Sequence, residues 1–351
     1  MKRIAPLALR AVALALTFVA PAMLTGCAMP QRLSPSASQI VAQRVYVVTG
    51  ASSGFGRGIA EQLGRHRASV VLAARRADAL EEVATAVRAN GGTALVVPTD
   101  VSDAAAMERL SAATLTRFGR IDVWINNAGI GAIGRFEEIP VADQARIVDV
   151  NLKGVIYGSH LAIRQFKRQG HGILINLGSV ESRVPLAYHA TYAATKHAIL
   201  GLDQALAQEL RLAGAKRIKV VTIMPWAADT NYWQHSGNYS GRTPRMILMD
   251  DAQKVANAIV WASVHPRKKF AVGPKAKLAT FGHRLAPGLT EHIAAHVAHK
   301  VQMQDPPPAA DTSGAIFEPL PGTTSVSGEN RTRIKGEKER ARGGDPSRPP
   351  D

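Results

Sequence analysis

A glycine-rich turn between a short apolar strand and a helix constrains the fold of this chain more than any other feature. Residues 44–48 form an apolar, β-branched run typical of a buried parallel strand, and the stretch 57–67 favours a helix. Glycines let a backbone approach a pyrophosphate closely, and a helix N-terminus offers it free N–H groups. With a second strand at 69–73, the order of elements predicts a dinucleotide site. The turn consists of Thr49, Gly50, Ala51, Ser52, Ser53, Gly54, Phe55 and Gly56.

The end of the second strand indicates which dinucleotide is bound. NAD-binding folds usually place an acidic residue here, which accepts a hydrogen bond from the ribose 2′-hydroxyl. This chain has Ala74, followed by Arg75 and Arg76. Guanidinium groups clamp a 2′-phosphate with parallel hydrogen bonds. The residues therefore favour NADP(H) over NAD(H), with Arg75 as the main contact and Arg76 or Arg57 as helpers. The alternative is that these arginines only begin a solvated helix.

Two further strands end in polar residues at the same edge of the predicted sheet. The third strand, 95–101, carries Asp100 near its end. The fourth, 121–125, is followed by Asn126, Asn127, Ala128 and Gly129. Because ligands of open parallel sheets bind at the carboxyl ends of the strands, these residues are candidates to line the cofactor cleft. A purely structural role for Asn126 fits the sequence equally well.

Four residues further along fit a proton-transfer site. Hydride transfer to a carbonyl requires a proton donor at the developing alkoxide. Tyr192 and Lys196 stand four apart on a predicted helix, so they share one face, and a lysine ammonium favours the phenolate of a nearby tyrosine. Many surface helices contain such a pair, so the pair alone decides nothing. Ser179 follows the apolar strand 172–178, and Asn151 precedes it by 28 positions.

The Gly-x-x-x-Gly-x-Gly spacing after Thr49, together with these four residues, resembles the short-chain dehydrogenase/reductase family over roughly residues 44–275. The resemblance implies a Rossmann-type α/β fold, a doubly wound parallel sheet of about seven strands in a single domain. It also implies roles. Tyr192 is the general acid/base, Lys196 lowers its pKa and binds the nicotinamide ribose, Ser179 polarises the substrate, and Asn151 supports a proton relay through water.

The same resemblance implies further cofactor contacts. Asp100 and Val101 would border the adenine ring, and Asn127, Ala128 and Gly129 would line the cleft. Pro225 and Thr230 would approach the nicotinamide. The chain departs from the family at Trp226, where glycine is usual; tryptophan cannot adopt glycine's φ values cheaply, so the path of this loop stays open. Residues 231–249 follow as a predicted substrate lid rich in aromatic side chains.

The N-terminal residues are typical of an exported lipoprotein. Lys2 and Arg3 precede an apolar stretch at 11–24, which has the length of a signal-peptide core. Leu24-Thr25-Gly26-Cys27 resembles the lipobox of bacterial lipoproteins, in which the cysteine is lipidated. We therefore predict a signal peptide at 1–27, a linker at 28–43 and a membrane-associated lipoprotein of the cell envelope. If Met29 is the true start, the enzyme is cytoplasmic.

The C-terminal part differs in composition from the catalytic domain, predicted at 44–280. An amphipathic helix is predicted at 281–304, with His292, His296 and His299 on one face, which we interpret as a polar face rather than a metal site. Residues 305–351 are rich in Pro, Gly and charge and predict a disordered basic tail. The formal net charge is +16, but no aromatic residues interleave with the basic residues of the tail, so no specific nucleic-acid partner is indicated.

These patterns predict an oxidoreductase that transfers a hydride between NADP(H) and a small-molecule carbonyl or alcohol, and the family resemblance implies a homo-oligomer, dimer or tetramer. Two alternatives stay open. One is a non-enzymatic module that binds the cofactor as a sensor or scaffold. The other is a membrane-tethered binder of anionic polymers through the basic tail.

The lipobox makes a testable prediction. Cell fractionation should recover the protein with the membranes, and mass analysis should find Cys27 as the first residue, carrying acyl chains. A soluble protein that begins at Met29 would contradict this prediction.

Overall fold

The computed structural model of the protein describes residues 33–343. The predicted signal peptide at 1–27, with Cys27, lies outside the described residues, as do Met29 and residues 344–351. Among the described residues, no helix is both long and apolar enough to cross a membrane. The same part of the chain contains no group of three His, Cys, Asp or Glu side chains placed to hold a metal ion.

The strands and helices alternate along the first two thirds of the described chain, as the sequence predicts. The strands are β1 (Val45–Thr49), β2 (Ser69–Ala74), β3 (Thr93–Pro98), β4 (Val123–Asn126), β5 (Ala132–Gly134), β6 (Gly172–Leu177), β7 (Ile218–Pro225), β8 (Ala228–Asp229), β9 (Gly237–Tyr239), β10 (Asp250–Asp251) and β11 (Lys269–Val272). The α-helices are α1 (Pro35–Ala42), α2 (Gly54–Arg65), α3 (Ala77–Ala89), α4 (Ala104–Phe118), α5 (Val141–Val148), α6 (Gly154–Gln169), α7 (Ala190–Leu212), α8 (Tyr232–His235), α9 (Ala252–Ala262), α10 (Gly273–Leu285), α11 (Pro287–Ala298) and α12 (Asn330–Gly343).

Seven of these strands form one sheet in the order β11-β7-β6-β4-β1-β2-β3. All six neighbouring pairs are parallel. The chain starts in the middle of the sheet at β1, moves outward to β3, then returns to β4 and moves outward on the other side. The predicted fold class, a Rossmann-type doubly wound sheet of about seven parallel strands, is therefore confirmed. The carboxyl ends of β1 and β4 are adjacent at the point where the strand order reverses, which is where such sheets bind ligands.

The centre of the sheet is buried on both faces. Every residue of β1, β4 and β6 is buried, which explains why these strands are nearly continuous apolar runs rather than alternating patterns. Trp124 of β4 and Phe166 of α6 are among the largest fully buried side chains and belong to one core cluster. The rigid core therefore fixes the strand ends from which the site residues project.

A ladder of buried polar side chains joins the central strands near their carboxyl ends. Asn126 donates to Asn176 Oδ1 at 2.8 Å, and Asn176 donates to Asp203 Oδ1 at 2.6 Å. Thr222 donates to the other oxygen of Asp203 at 2.6 Å. Burial raises the pKa of Asp203 to about 6, although the hydrogen bonds from Thr222 and Asn176 oppose this. Asn126 thus has the structural role that the sequence left open.

The linker prediction at 28–43 was wrong in its second half. Residues 35–42 form helix α1, with Ala37 and Val41 buried. Ser34 caps the helix by accepting a hydrogen bond from the Ala37 N–H at 3.2 Å, and Pro35 occupies the first turn. Both residues are typical helix-start signals that the composition of a small, polar segment concealed.

The single amphipathic helix predicted at 281–304 was also wrong. This part of the chain contains the end of α10, the whole of α11 and a π-helical turn, His299–Gln304. The break lies at Ala286, because Pro287 cannot continue α10 but is favourable in the first turn of α11.

The tail predicted to be disordered at 305–351 is ordered over its described part, up to residue 343. It has no hydrophobic periodicity, but long-range hydrogen bonds hold it at both ends. The Asn238 N–H donates to the Thr312 carbonyl at 2.7 Å, and the Asn330 N–H donates to Asp229 Oδ1 at 2.8 Å. Between them, Ile316 is fully buried in the main core cluster. We call residues 312–330 the C-terminal strap.

Candidate active site

The glycine-rich turn packs directly against the turn that follows β4. Gly50 has a φ of +66°, and a Cβ there would lie 2.8 Å from the Ala128 Cα. A Cβ at Gly56 would overlap the Gly50 carbonyl oxygen. Since only glycine fits at both positions, no side chain stands there to keep a pyrophosphate away from the backbone.

Thr49 and Asn127 fasten the two turns together. The Thr49 hydroxyl oxygen accepts hydrogen bonds from the Asn127 N–H at 3.0 Å and the Ala128 N–H at 3.2 Å. In return, the Asn127 side chain donates to the Thr49 carbonyl at 2.9 Å and the Gly50 carbonyl at 3.2 Å. Thr49, Asn127 and Ala128 were predicted to bind the cofactor. Their mutual hydrogen bonds hold the two turns that form this part of the cleft in place.

The four predicted catalytic residues come together at the carboxyl ends of β4 and β6. Ser179 lies two residues after the end of β6, and its side chain is near enough to the Tyr192 hydroxyl to lower the pKa of that group. Lys196 Nζ lies 5.3 Å from the centre of the Tyr192 ring. A Cβ built on Gly129 would lie 3.4 Å from Asn151 Oδ1 and 3.7 Å from Lys196 Nζ, which places these two side chains beside the same turn.

Asn151 is fixed by a π-helical turn between α5 and α6, Asp149–Lys153. Its side chain accepts from the Ile130 N–H and donates to the Ile130 carbonyl, both at 2.8 Å, and it is fully buried. The same amide donates to Thr195 at 3.3 Å, one residue before Lys196. π-Helical turns inside helices are frequent at functional sites, since they redirect one side chain.

Lys196 is a buried cation. Its ammonium group donates to the Leu177 carbonyl at 2.8 Å, at the end of β6. Burial lowers the pKa of Lys196 to about 8, while the negative charge of Glu181 opposes the shift. The group is therefore close to its charge transition at neutral to mildly alkaline pH.

The pKa of Tyr192 is raised, not lowered as the sequence led us to expect. Burial of the hydroxyl is the main cause, and the negative charge of Glu181 adds to it. Hydrogen bonds from the Ser179 and Tyr232 side chains act in the opposite direction. Burial of the phenol together with the charge of Glu181 therefore accounts for the direction of the shift.

Glu181 belongs to a buried polar chain that the sequence did not reveal. His189 Nδ1 lies 3.2 Å from Glu181 Oε1, and His189 Nε2 lies 3.0 Å from the Gln302 side-chain nitrogen. The other carboxylate oxygen of Glu181 is buried without a hydrogen-bond partner among the described residues. The only local signal was position: Glu181 follows Ser179 by two residues, and His189 precedes Tyr192 by three.

The predicted lid contributes Tyr232 to the site. Its ring centre lies 5.6 Å from that of Tyr192, and its side chain acts to lower the pKa of the Tyr192 hydroxyl. The Tyr232 N–H donates to Thr230 Oγ1 at 3.2 Å, so the residue predicted to meet the nicotinamide also holds the lid. Trp226 follows Pro225, at the end of β7, and its indole N–H is buried without a partner in the described part of the chain.

Asp100 and Val101 follow β3, where the sequence placed the adenine contact. Asp100 accepts hydrogen bonds from the Ser102 N–H at 2.9 Å and from Arg146 at 2.5 Å. Burial would raise the pKa of Asp100, but the hydrogen bonds from Ser102 and Arg146 outweigh it and the pKa is lowered. Val101 is buried in the core cluster that also contains Ile316 of the strap.

Backbone carbonyls of the C-terminal strap accept hydrogen bonds from the two arginines that were predicted to bind a phosphate. Arg75 donates to the Ala315 carbonyl at 2.8 Å and also to the Phe317 carbonyl. Arg76 donates to the Leu320 carbonyl at 2.9 Å and the Thr323 carbonyl at 3.1 Å. The alternative that these arginines only begin a solvated helix is wrong, since both guanidinium groups have specific partners.

The strap continues over the glycine-rich turn. The Gly54 N–H, at the start of α2, donates to the Ser325 carbonyl at 3.0 Å. Arg57 donates to the Thr324 carbonyl at 3.1 Å and pairs with Glu61 at 2.8 Å. The strap therefore runs along the part of the cleft that the sequence assigned to the cofactor's phosphates.

Comparison with known proteins agrees with this geometry. A family model described as short chain dehydrogenase matches residues 44–239. The chain belongs to this family. An oxidoreductase of Bacillus subtilis, YxnA, whose name describes it as uncharacterized, is 31% identical over 280 residues, which cover 78% of this chain and 78% of the relative. Membership makes the protein an oxidoreductase of the short-chain dehydrogenase type.

Solved structures of the family include relatives with either cofactor. An alcohol dehydrogenase from Thermococcus sibiricus, complexed with 5-hydroxy-NADP, is 28% identical with a TM-score of 0.56, over 65% of this chain and 95% of that one. A 3-ketoacyl-(acyl-carrier-protein) reductase from Brucella melitensis, complexed with NADH, is 29% identical with a TM-score of 0.56, over 66% and 96%. Likeness to these short-chain dehydrogenases therefore supports a nicotinamide nucleotide without choosing between the two.

The position of Glu181 generates a test by titration. Replacing it in Glu181→Gln removes a negative charge that raises the pKa values of both Tyr192 and Lys196. We expect both pKa values to fall, with Lys196 moving further below about 8. The measurement is a ¹³C NMR titration of the tyrosine and lysine side chains. Glu138→Gln, at an exposed residue paired with Arg135, is the control and should move neither value. Unchanged titration in Glu181→Gln would show that the carboxylate does not act on the pair.

Proposed function

We propose that the protein is an NADP(H)-dependent short-chain dehydrogenase that interconverts a small-molecule carbonyl compound and its alcohol. The observation that carries the proposal is the Tyr192 phenol, which lies beside Ser179 with the Lys196 ammonium 5.3 Å from the centre of its ring. A positioned phenol beside a hydroxyl and a cation can bind and protonate a carbonyl oxygen. The site lies at the switch point of the sheet, next to the glycine-rich turn.

The residues fit a nicotinamide dinucleotide. A Cβ at Gly50 or Gly56 would collide with neighbouring backbone, so no side chain stands at these two positions of the turn; α2 begins at the turn, and Arg75 and Arg76 follow β2. When bound, the nicotinamide supplies or accepts the hydride. In this proposal Thr49, Ser52, Ser53 and Phe55 of the turn hold the pyrophosphate region, and Lys196 holds the nicotinamide ribose.

Side chains of this protein transfer the proton. The raised pKa of Tyr192 keeps its hydroxyl protonated at neutral pH, which suits donation to the oxygen of a carbonyl being reduced. Ser179 orients that oxygen by a hydrogen bond. In the oxidation direction the phenolate of Tyr192 must accept the proton of the alcohol, and the positive charge of Lys196 favours formation of that phenolate. Asn151, held by Ile130, supports the return of the proton through Lys196.

Preference for NADP(H) is supported by the end of β2. Ala74 stands where an acid would repel a 2′-phosphate, and two guanidinium groups follow it. The relatives of known structure contain either cofactor, so the proposal rests on these residues of the chain. We further propose a homo-oligomer, which the apolar side chains exposed on α10 and α11 support: Leu278, Phe281, Leu285, Leu289 and Ile293.

A non-enzymatic cofactor-binding module is the alternative. It would not need Ser179, Tyr192, Lys196 and Asn151 to converge, and their convergence in one cleft favours the enzyme.

The role of Tyr192 is tested by Tyr192→Phe. We expect turnover of aldehydes and ketones with NADPH to fall about 10²- to 10⁴-fold, because the proton donor is removed. The affinity for NADPH should stay unchanged, since the ring is retained. Tyr188→Phe is the matched control: this tyrosine stands four residues earlier and bonds to His299 at 2.7 Å, so activity should persist. Equal activity of Tyr192→Phe and the wild type would disprove the role.

The role of Arg75 is tested by the ratio of cofactor affinities. Loss of charge-assisted hydrogen bonds in Arg75→Ser should weaken NADPH relative to NADH by roughly 10- to 100-fold. The two dissociation constants are measured by calorimetry on the same preparation. Arg88→Ser, at an exposed arginine on α3, should leave the ratio unchanged. A wild-type protein that binds both cofactors equally would remove the role given to Arg75.

A further inference from the structure

We propose that the C-terminal strap is a displaceable internal competitor of the dinucleotide: it closes the phosphate-binding half of the cleft and must lift off before NADP(H) binds. This inference rests on the proposed cofactor. Its basis is that the strap and the phosphates require the same hydrogen-bond donors.

The shared donors are specific. Two strap carbonyls bind the Arg75 guanidinium and two more bind that of Arg76, so all four bonds would have to be exchanged for a 2′-phosphate. The Gly54 N–H, which belongs to the phosphate-binding turn, donates to the Ser325 carbonyl at 3.0 Å. A donor that already points at a strap carbonyl cannot point at a phosphate oxygen as well.

The strap is anchored at both ends by hydrogen bonds that use none of the cleft arginines and none of the turn amides. Upstream, Thr312 and Asn238 exchange two backbone hydrogen bonds, at 2.7 and 3.0 Å. Downstream, the buried side chain of Asn330 donates to Asp229 and to the Thr230 carbonyl, both at 3.0 Å. Arg331 reaches Asp229 as well, at 3.3 Å. The middle of the strap can therefore leave the arginines while its ends remain in place.

Ile316 is the apolar plug that holds the middle of the strap. Its side chain is 0% exposed, whereas that of the next residue, Phe317, is 44% exposed. The Ala315 N–H beside it donates to the His235 carbonyl at 2.7 Å. Burial of Ile316 thus contributes to closure independently of the arginines.

Exchanging the strap carbonyls for phosphate oxygens favours the cofactor, but the strap still lowers the apparent affinity. A phosphate is an anionic acceptor that can bind a guanidinium group through two parallel hydrogen bonds, whereas each strap carbonyl is a neutral acceptor. The strap, however, is part of the same chain and competes at a high effective concentration. The apparent affinity for any dinucleotide is therefore reduced by the fraction of molecules that are closed.

The test compares Ile316→Ser with Phe317→Ser. Removing the buried plug should tighten the binding of NADPH and NADH by a common factor of about ten, since both need the open cleft. Phe317→Ser, at an exposed side chain, should leave both dissociation constants unchanged. This pattern differs from that of Arg75→Ser, which changes the ratio of the two constants. Dissociation constants come from calorimetry, so no turnover is required.

A second variant and a second readout cover the possibility that Ile316→Ser disturbs folding. Replacing residues 313–328 with a Gly-Ser linker of equal length keeps both anchors and should tighten binding in the same way. In the wild type, saturating NADPH should speed hydrogen exchange at the Ala315 amide. Unchanged affinity in both strap variants overturns the proposal. Weaker binding also overturns it, because the strap would then be part of the cofactor site. No binding in any form overturns it together with the proposed cofactor.

Discussion

The close contact between the turns after β1 and β4 is the constraint on which the rest of the site depends. The two strands are neighbours at the reversal of the sheet, and Gly50 approaches Ala128 so closely that no side chain fits between them. The hydroxyl oxygen of Thr49 accepts hydrogen bonds from two backbone amides of the second turn. Because Gly129 in that turn adjoins both Asn151 and Lys196, the same contact sets the spacing between the cofactor cleft and the proton-transfer residues.

The electrostatics of the site come from three buried groups rather than from a tyrosine–lysine pair. Burial acts on both members of the pair in opposite directions: it disfavours the phenolate and also the ammonium. Glu181, oriented by His189, then opposes ionisation of the phenol and supports the charge on the lysine. The carboxylate thus makes the pair more strongly polarised, with a protonated phenol beside a cation.

The sequence predicted the features that depend on local pattern. The strands around β1 and β4 appear as apolar runs, the glycine spacing marks the turn, and the interval from Ser179 to Tyr192 marks the site. The break at Pro287 was readable too, since proline cannot continue a helix, but the prediction of one helix over 281–304 missed it. The roles of Glu181 and Ile316 were not readable from the sequence, because their burial depends on segments far away in the chain. The strap has no periodicity, and its hydrogen bonds with Arg75 and Arg76 use backbone carbonyls, which every sequence offers equally.

The partners joined by the strap are far apart along the chain: Arg75 and Ala315 are separated by 240 residues. Contacts between such distant residues close late, because the entropy of a long loop must be overcome first. On a ribosome, all seven strands of the sheet emerge before residue 312 does, since β11 ends at Val272. A newly made chain therefore passes through a stage in which its arginines are uncovered, and the order of synthesis gives a small molecule access to them before the polypeptide can cover them.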